Sequence, residues 1–214
     1  LRTGRAGNLA GRLGGLERGV IIYLHGFRSS PRSHKAWVMQ AHLTRLGLAE
    51  RFWCPQLPVD PKAAIALVAE RIGALYATGI APVLVGSSLG GYYATHLAER
   101  FASVALKAVL LNPAIVAHRS LADYVGIQES YHGGEPFEFT AAHVEALRAL
   151  EVGAITRPER YLLVVETGDE LLDYRESIQR YLGANMIVVA GGDHALQSFP
   201  RQLGAILEFA GIPT

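Results

Sequence analysis

From Gly19 onward, short runs of consecutive apolar residues alternate with longer stretches whose apolar positions recur every three or four residues. The runs are VIIYLHGF (20–27), RFWCPQL (51–57), APVLVGSS (81–88), KAVLLNP (107–113), RYLLVVETGD (160–169) and NMIVVAGG (185–192). Several are apolar at successive positions instead of alternating, the pattern of strands buried on both faces of a sheet. Between them lie helix signatures with readable ends. Ser30-Pro31 and Asp60-Pro61 each offer a cap followed by proline at the first helical position. Gly79 and Gly211 suit the residue just past a helix. Strand and helix in repeated alternation predict a three-layer α/β fold, one domain with a mostly or wholly parallel sheet of about six strands.

One connection breaks this rhythm. The segment between Pro113 and Arg160 is longer than a single crossover helix requires. TAAHVEALRAL (140–150) reads as a helix capped by Thr140, whereas residues 114–139 are mixed, glycine-containing and aromatic. Two readings of 114–139 stand open: a segment covering a site, or a surface excursion.

Composition narrows the function classes. The 214 residues carry a formal net charge of +1, but residues 1–18 hold four arginines against Glu17. The remaining chain has sixteen basic and eighteen acidic side chains, a net −2, with no basic cluster of the kind that nucleic acid demands. No apolar run approaches the length of a membrane span, so membrane insertion is not expected. Residues 1–18 form an Arg/Gly-rich stretch without a signal-type apolar core, and are expected to be a flexible extension outside a domain at 19–214. Cys54 is the single cysteine, which excludes an intrachain disulfide and fits a cytoplasmic setting. It is read as a small packing residue.

The candidate chemistry lies at the third run. Gly86-Ser87-Ser88-Leu89-Gly90 follows a strand and opens a helix, the context of a G-x-S-x-G nucleophile elbow. Small residues two before and two after the central Ser88 let backbone segments approach a strained turn. A serine hydroxyl needs a base that is itself oriented by a third group. In an elbow-bearing sheet the partners follow in the order Ser, Asp or Glu, His, each past a strand end. Asp169 closes the fifth run, just past its apolar stretch 161–165, and His194 follows the sixth. Glu166 is read as a strand residue, Glu170 and Asp173 as solvated charges near a helix start, and Asp193 as a loop residue. His34, His42, His96 and His143 fall on helix patterns. His118 and His132 fall in the irregular segment, where they could border a pocket. The backbone N–H groups of Leu89 and Phe27 are the expected oxyanion donors, with Arg28 the rival to Phe27. His25-Gly26 reads as a strand-end turn, with His25 bonding loop backbone.

The blocks YLHGFRSSPRSHKA, PQLP, VGSSLGGYYATHLAER, LNPA, TGDELLDYR and GGDHAL together closely resemble the small bacterial YqiA/YcfP-type esterases of the α/β-hydrolase superfamily. The resemblance runs from about Val20 to the C-terminus. It implies a compact α/β-hydrolase fold acting on acyl esters, short acyl chains foremost, with the family's catalytic residues on Ser88, Asp169 and His194. Residues before Gly19 have no recognised counterpart, and Asp193 stands where relatives often carry Asn. An acid there would favour a charged imidazole if it approached the ring. The expected function is therefore a serine esterase acting through an acyl-enzyme on a small-molecule ester. No metal-type spacing occurs and the chemistry requires no cofactor. Thioester or amide hydrolysis by the same residues, and a non-catalytic ligand-binding protein, are the alternatives. Arg28, Arg32 and Lys35 could meet an anionic leaving group, or simply be solvated.

Overall fold

The structure is a computed structural model that describes residues 17–104 and 106–213. Eight strands alternate with seven α-helices among the described residues. The strands are β1 (Glu17–Leu24), β2 (Phe52–Trp53), β3 (Ile80–Ser87), β4 (Lys107–Leu111), β5 (Gly126–Gln128), β6 (Phe137–Phe139), β7 (Tyr161–Glu166) and β8 (Asn185–Val189). The helices are α1 (His34–Arg45), α2 (Pro61–Ala77), α3 (Leu89–Arg100), α4 (Ala117–Ser120), α5 (Ala141–Ala149), α6 (Tyr174–Arg180) and α7 (Phe199–Ala210). Six strands form one sheet in the order β2-β1-β3-β4-β7-β8, parallel at every pairing. β5 and β6 pair antiparallel as a separate hairpin inside the irregular segment.

The apolar runs became strands because both faces of the sheet are covered. β7 is buried at every position, and β3 at its last six. On one face Ile22, Leu24, Leu84, Leu110 and Leu163 pack under α2, α3 and α5. On the other face Ile21, Tyr23, Val85, Val109 and Val164 pack under α1 and α7. In α7 the buried residues Phe199, Leu203, Ile206, Leu207 and Ala210 recur with the helical period. Each fully buried leucine of this set contributes about 1.5–3 kcal/mol. Cys54 packs at the edge of the second cluster, and burial pushes its thiol up to about 12, so it is inert near neutral pH. No helix among the described residues is long and apolar enough to cross a membrane.

Caps decide the helix boundaries. Asp60 accepts from the amides of Lys62 and Ala63, and Gly211 closes α7 with φ 72°. The first helix departs from expectation. Ser30 accepts from the Arg32 amide in a turn, and α1 starts only at His34, behind Ser33. β1 also starts two residues before the expected domain boundary. Glu17 and Arg18 pair with Ile80 and Ala81 of β3. Backbone pairing of this kind needs no apolar side chain, so hydrophobic pattern alone misses it. Residues 1–16 of the expected extension lie outside the described residues.

A buried ion pair ties the C-terminal end of α3 to the start of β7. Arg160 bonds Glu99 at 3.1 Å and the Ala98 carbonyl at 2.8 Å, with 3% and 12% of the two charged side chains exposed. Glu99 also accepts from the Thr156 hydroxyl at 2.6 Å and from Tyr161. Burial alone would raise the Glu99 carboxyl, but the bonds from Thr156 and Tyr161 and the Arg160 charge outweigh it and hold it low. Its stabilising contribution is therefore present above about pH 4.3 and lost as pH falls through the lowered folded value. Glu99→Gln is expected to lose about 1–3 kcal/mol at neutral pH. The gap from wild type narrows in acid, which denaturant midpoints measured across the acid range would show.

Candidate active site

Ser88 occupies the turn between β3 and α3 with φ 54° and ψ −118°, a region that non-glycine residues rarely adopt. The glycines around it permit this turn. A Cβ on Gly86 would stand 2.2 Å from the Gly90 carbonyl oxygen, and one on Gly90 would stand 1.9 Å from the Leu24 carbonyl oxygen. Backbone bonds then fix the turn against the next strand. The Ser88 amide donates to the Leu111 carbonyl at 3.0 Å, and the Ser88 carbonyl accepts from Ala114 at 3.1 Å. The side chain is left half-buried at the C-terminal edge of the sheet, where α/β folds hold their ligands.

The register of the sheet brings Asp169 and His194 to the same edge. His194 Nε2 lies 3.1 Å from Ser88 Oγ, and Nδ1 lies 2.8 and 3.0 Å from the two Asp169 carboxylate oxygens. Nδ1 faces only acceptors and so carries the ring proton, leaving Nε2 free to accept from the serine. Asp169 also accepts from the amides of Leu171 and Leu172, both at 2.9 Å, and its side chain is 2% exposed. Carboxylate, imidazole and hydroxyl thus form one continuous hydrogen-bonded line.

Residues that the sequence reading assigned to other roles hold the histidine loop. Glu166, 1% exposed at the end of β7, accepts from the amides of Asp193 at 2.8 Å, Gln197 at 3.1 Å and Ser198 at 2.6 Å. Burial would raise its carboxyl, but these three amides outweigh burial and hold it below the ordinary range. Asn112 accepts from the Glu166 amide and donates to the Asp193 carbonyl, both at 3.0 Å. Glu170, expected to be a solvated charge, accepts from the His194 amide at 3.0 Å. Lys35 donates to the Ala195 carbonyl at 2.7 Å. Burial pushes its ammonium down to about 8, against the pull of Asp193, Glu166 and Asp169. Asp193 does not bond the imidazole; its Oδ2 accepts from the Gln197 side chain at 3.0 Å. The signal available in sequence was the carboxylate at the end of a wholly apolar strand, since a charge there needs partners.

His25 is 4% exposed and shapes the loop opposite Ser88. Its Nε2 accepts from the Leu57 amide at 3.1 Å, so Nδ1 donates to the Gly26 carbonyl at 3.0 Å. Burial lowers its pKa, as does nearby His132, against the Gly26 bond, and the ring stays neutral. The amides of Phe27 and Leu89 donate to no acceptor among the described residues. The guanidinium groups of Arg28 and Arg32 bond the carbonyls of Glu129 and His132, binding the irregular segment to this loop. They are thus engaged by the protein itself. A cavity of about 720 Å³ opens over Ser88 and His194, walled on one side by Leu121, Tyr124, Tyr131 and Leu171. Residues 121, 124, 131 and 132 of the irregular segment thus line the site. Of the remaining histidines, His96 bonds the Leu150 carbonyl and His143 caps α5 with Thr140, while His132 borders the cavity.

The parallel six-stranded sheet with its strand–serine–helix elbow is the α/β-hydrolase fold. Solved structures share it: a protein from Agrobacterium vitis S4 superposes with a TM-score of 0.70 at 20% identity, covering 90% of this chain and 88% of that one. Est1E from Butyrivibrio proteoclasticus gives 0.66 at 16% identity, with 90% and 87% covered. Mouse alpha/beta hydrolase domain-containing protein 10 gives 0.61 at 17% identity, with 90% and 89% covered. Within this fold the chain belongs to the family described as uncharacterised protein family UPF0227, whose model matches residues 20–211. This is the YqiA/YcfP-type family to which the sequence blocks pointed.

Proposed function

We propose that this protein is a serine hydrolase that cleaves small acyl esters through an acyl-enzyme, from a domain spanning β1 to the C-terminus. The observation that carries the reading is the Asp169–His194–Ser88 line at a strained elbow. Ser88 Oγ attacks the ester carbonyl as His194 Nε2 takes its proton. The tetrahedral oxyanion is held by the Phe27 and Leu89 amides, the latter at the N-terminus of α3. Collapse expels the alkoxide, which leaves with the proton from His194. His194 then removes a proton from water as the water oxygen attacks the acyl-serine, and returns that proton to Ser88 on release of the acid. Asp169 holds the imidazole tautomer.

The test is a series of p-nitrophenyl esters from acetyl to palmitoyl, with a fluorophosphonate probe alongside. Hydrolysis that falls with acyl length, and mass-spectrometric labelling at Ser88, are expected. Folded protein that neither turns over any ester nor labels at Ser88 would overturn the reading in favour of a ligand-binding role. Matched thioester and amide substrates identify the leaving group.

A further inference from the structure

Behind the loop that carries the Phe27 amide lies a second chamber of about 510 Å³, a volume within the range of small-molecule sites. Its walls are largely apolar: Leu57, Val59, Leu89, Tyr93, Phe137 and Phe139 all line it. Gly26 and Phe27 line both this chamber and the cavity over Ser88. A Cβ on Gly26 would stand 3.8 Å from Ser88 Oγ. Leu89, whose amide borders the nucleophile, also lines the chamber.

The Phe27 ring forms the partition. Its centroid lies 5.6 Å from that of Tyr124, a wall of the Ser88 cavity, and 6.0 and 4.9 Å from those of Phe137 and Phe139, walls of the chamber, all in edge-on geometry. The ring thus sits in the seam between the two spaces, clamped by rings from the segment over the site. We propose that the chamber behind Phe27 is an acyl-chain site, and that the Phe27 ring sets how much of an ester's acyl chain can enter it from Ser88. The inference rests on the ester-hydrolase reading for its substrate. With the ring in place, the Ser88 cavity serves short acyl groups. With the ring removed or displaced, each further methylene that reaches the chamber gains about fourfold in affinity.

The experiment compares p-nitrophenyl butyrate and laurate on wild type, Phe27→Ala, Phe27→Leu, Val59→Trp and Phe27→Ala/Val59→Trp, with decanol binding by calorimetry beside it. Phe27→Ala is expected to raise the laurate-to-butyrate ratio of kcat/KM at least about tenfold, and Phe27→Leu by less. Val59→Trp fills the chamber, so in the double variant it cancels the gain. Decanol is expected to bind Phe27→Ala more tightly than wild type, and to lose that gain in the double variant. An unchanged ratio in both Phe27 variants, or a gain that survives Val59→Trp, overturns the proposal. Decanol binding needs no turnover, so its expected pattern without Ser88-dependent hydrolysis would sink the hydrolase reading and leave the chamber. Ester turnover with no Phe27-dependent binding would do the reverse.

Discussion

Replacing Ser88 with alanine is expected to lower kcat for ester hydrolysis by on the order of 10⁵- to 10⁶-fold and leave the protein folded. The Ser88 hydroxyl contributes no cap bond to α3, and its contact in the site is His194. Removing it strands no buried donor and adds no bulk. Asp169→Asn should cost about 10⁴-fold for a different reason. The amide would present a donor to His194 Nδ1 and favour the tautomer whose proton sits on Nε2, facing Ser88. Steady-state rates with thermal denaturation as a control separate these results from misfolding. A Ser88→Ala variant retaining a tenth of wild-type kcat would remove Ser88 as nucleophile.

Glu166→Ala is expected to act on both stability and rate. It leaves the amides of Asp193, Gln197 and Ser198 without their acceptor in a buried setting. Each orphaned amide costs about 1–3 kcal/mol, so a total of roughly 3 kcal/mol or more is expected. Because the same loop carries His194, kcat should fall by on the order of 10²-fold, the scale of a catalytic group displaced by about 1 Å. KM should change little, because Glu166 does not line the cavity over Ser88. Glu166→Gln keeps the volume but sets an NH₂ group against amide donors, and should fall between wild type and alanine. The Glu166 carboxyl is held low, so its anchoring is present above about pH 4.3 and lost as pH falls through the folded value. Glu99→Gln supplies the contrast, a destabilised protein whose kcat well below its melting temperature is unaltered. Equal kcat losses in the Glu99 and Glu166 variants at matched stability would show that Glu166 positions nothing.

Much of the architecture was legible from local pattern. β3 and β7 are apolar at successive positions because helices cover both faces, and a double-sided core admits little else. Asp60-Pro61 and Gly211 mark helix ends through backbone geometry carried by the residues themselves. Ser30-Pro31 misled, because a serine beside proline serves a turn as readily as a cap, and only the chain's course to α1 selects Ser33. Ser88, Asp169 and His194 could be nominated in sequence because each directly follows an apolar run, and parallel strands deliver such positions to one edge.

Tertiary structure alone decided the rest. Glu166 and Glu170 are both acidic residues near Asp169 in sequence, yet one lies beneath the loop as its anchor and the other bonds the His194 amide. Asn112 reaches that loop from just past the end of β4. The partition at Phe27 exists because rings from residues 124, 137 and 139 meet it across the site. Sequence by itself determined which segments are strands and helices and which side chains stand at strand ends, since burial periodicity and turn chemistry are local. It could not determine which buried acceptor meets which amide or where a cavity ends. Those depend on distances between segments far apart along the chain, set only when the sheet closes its register.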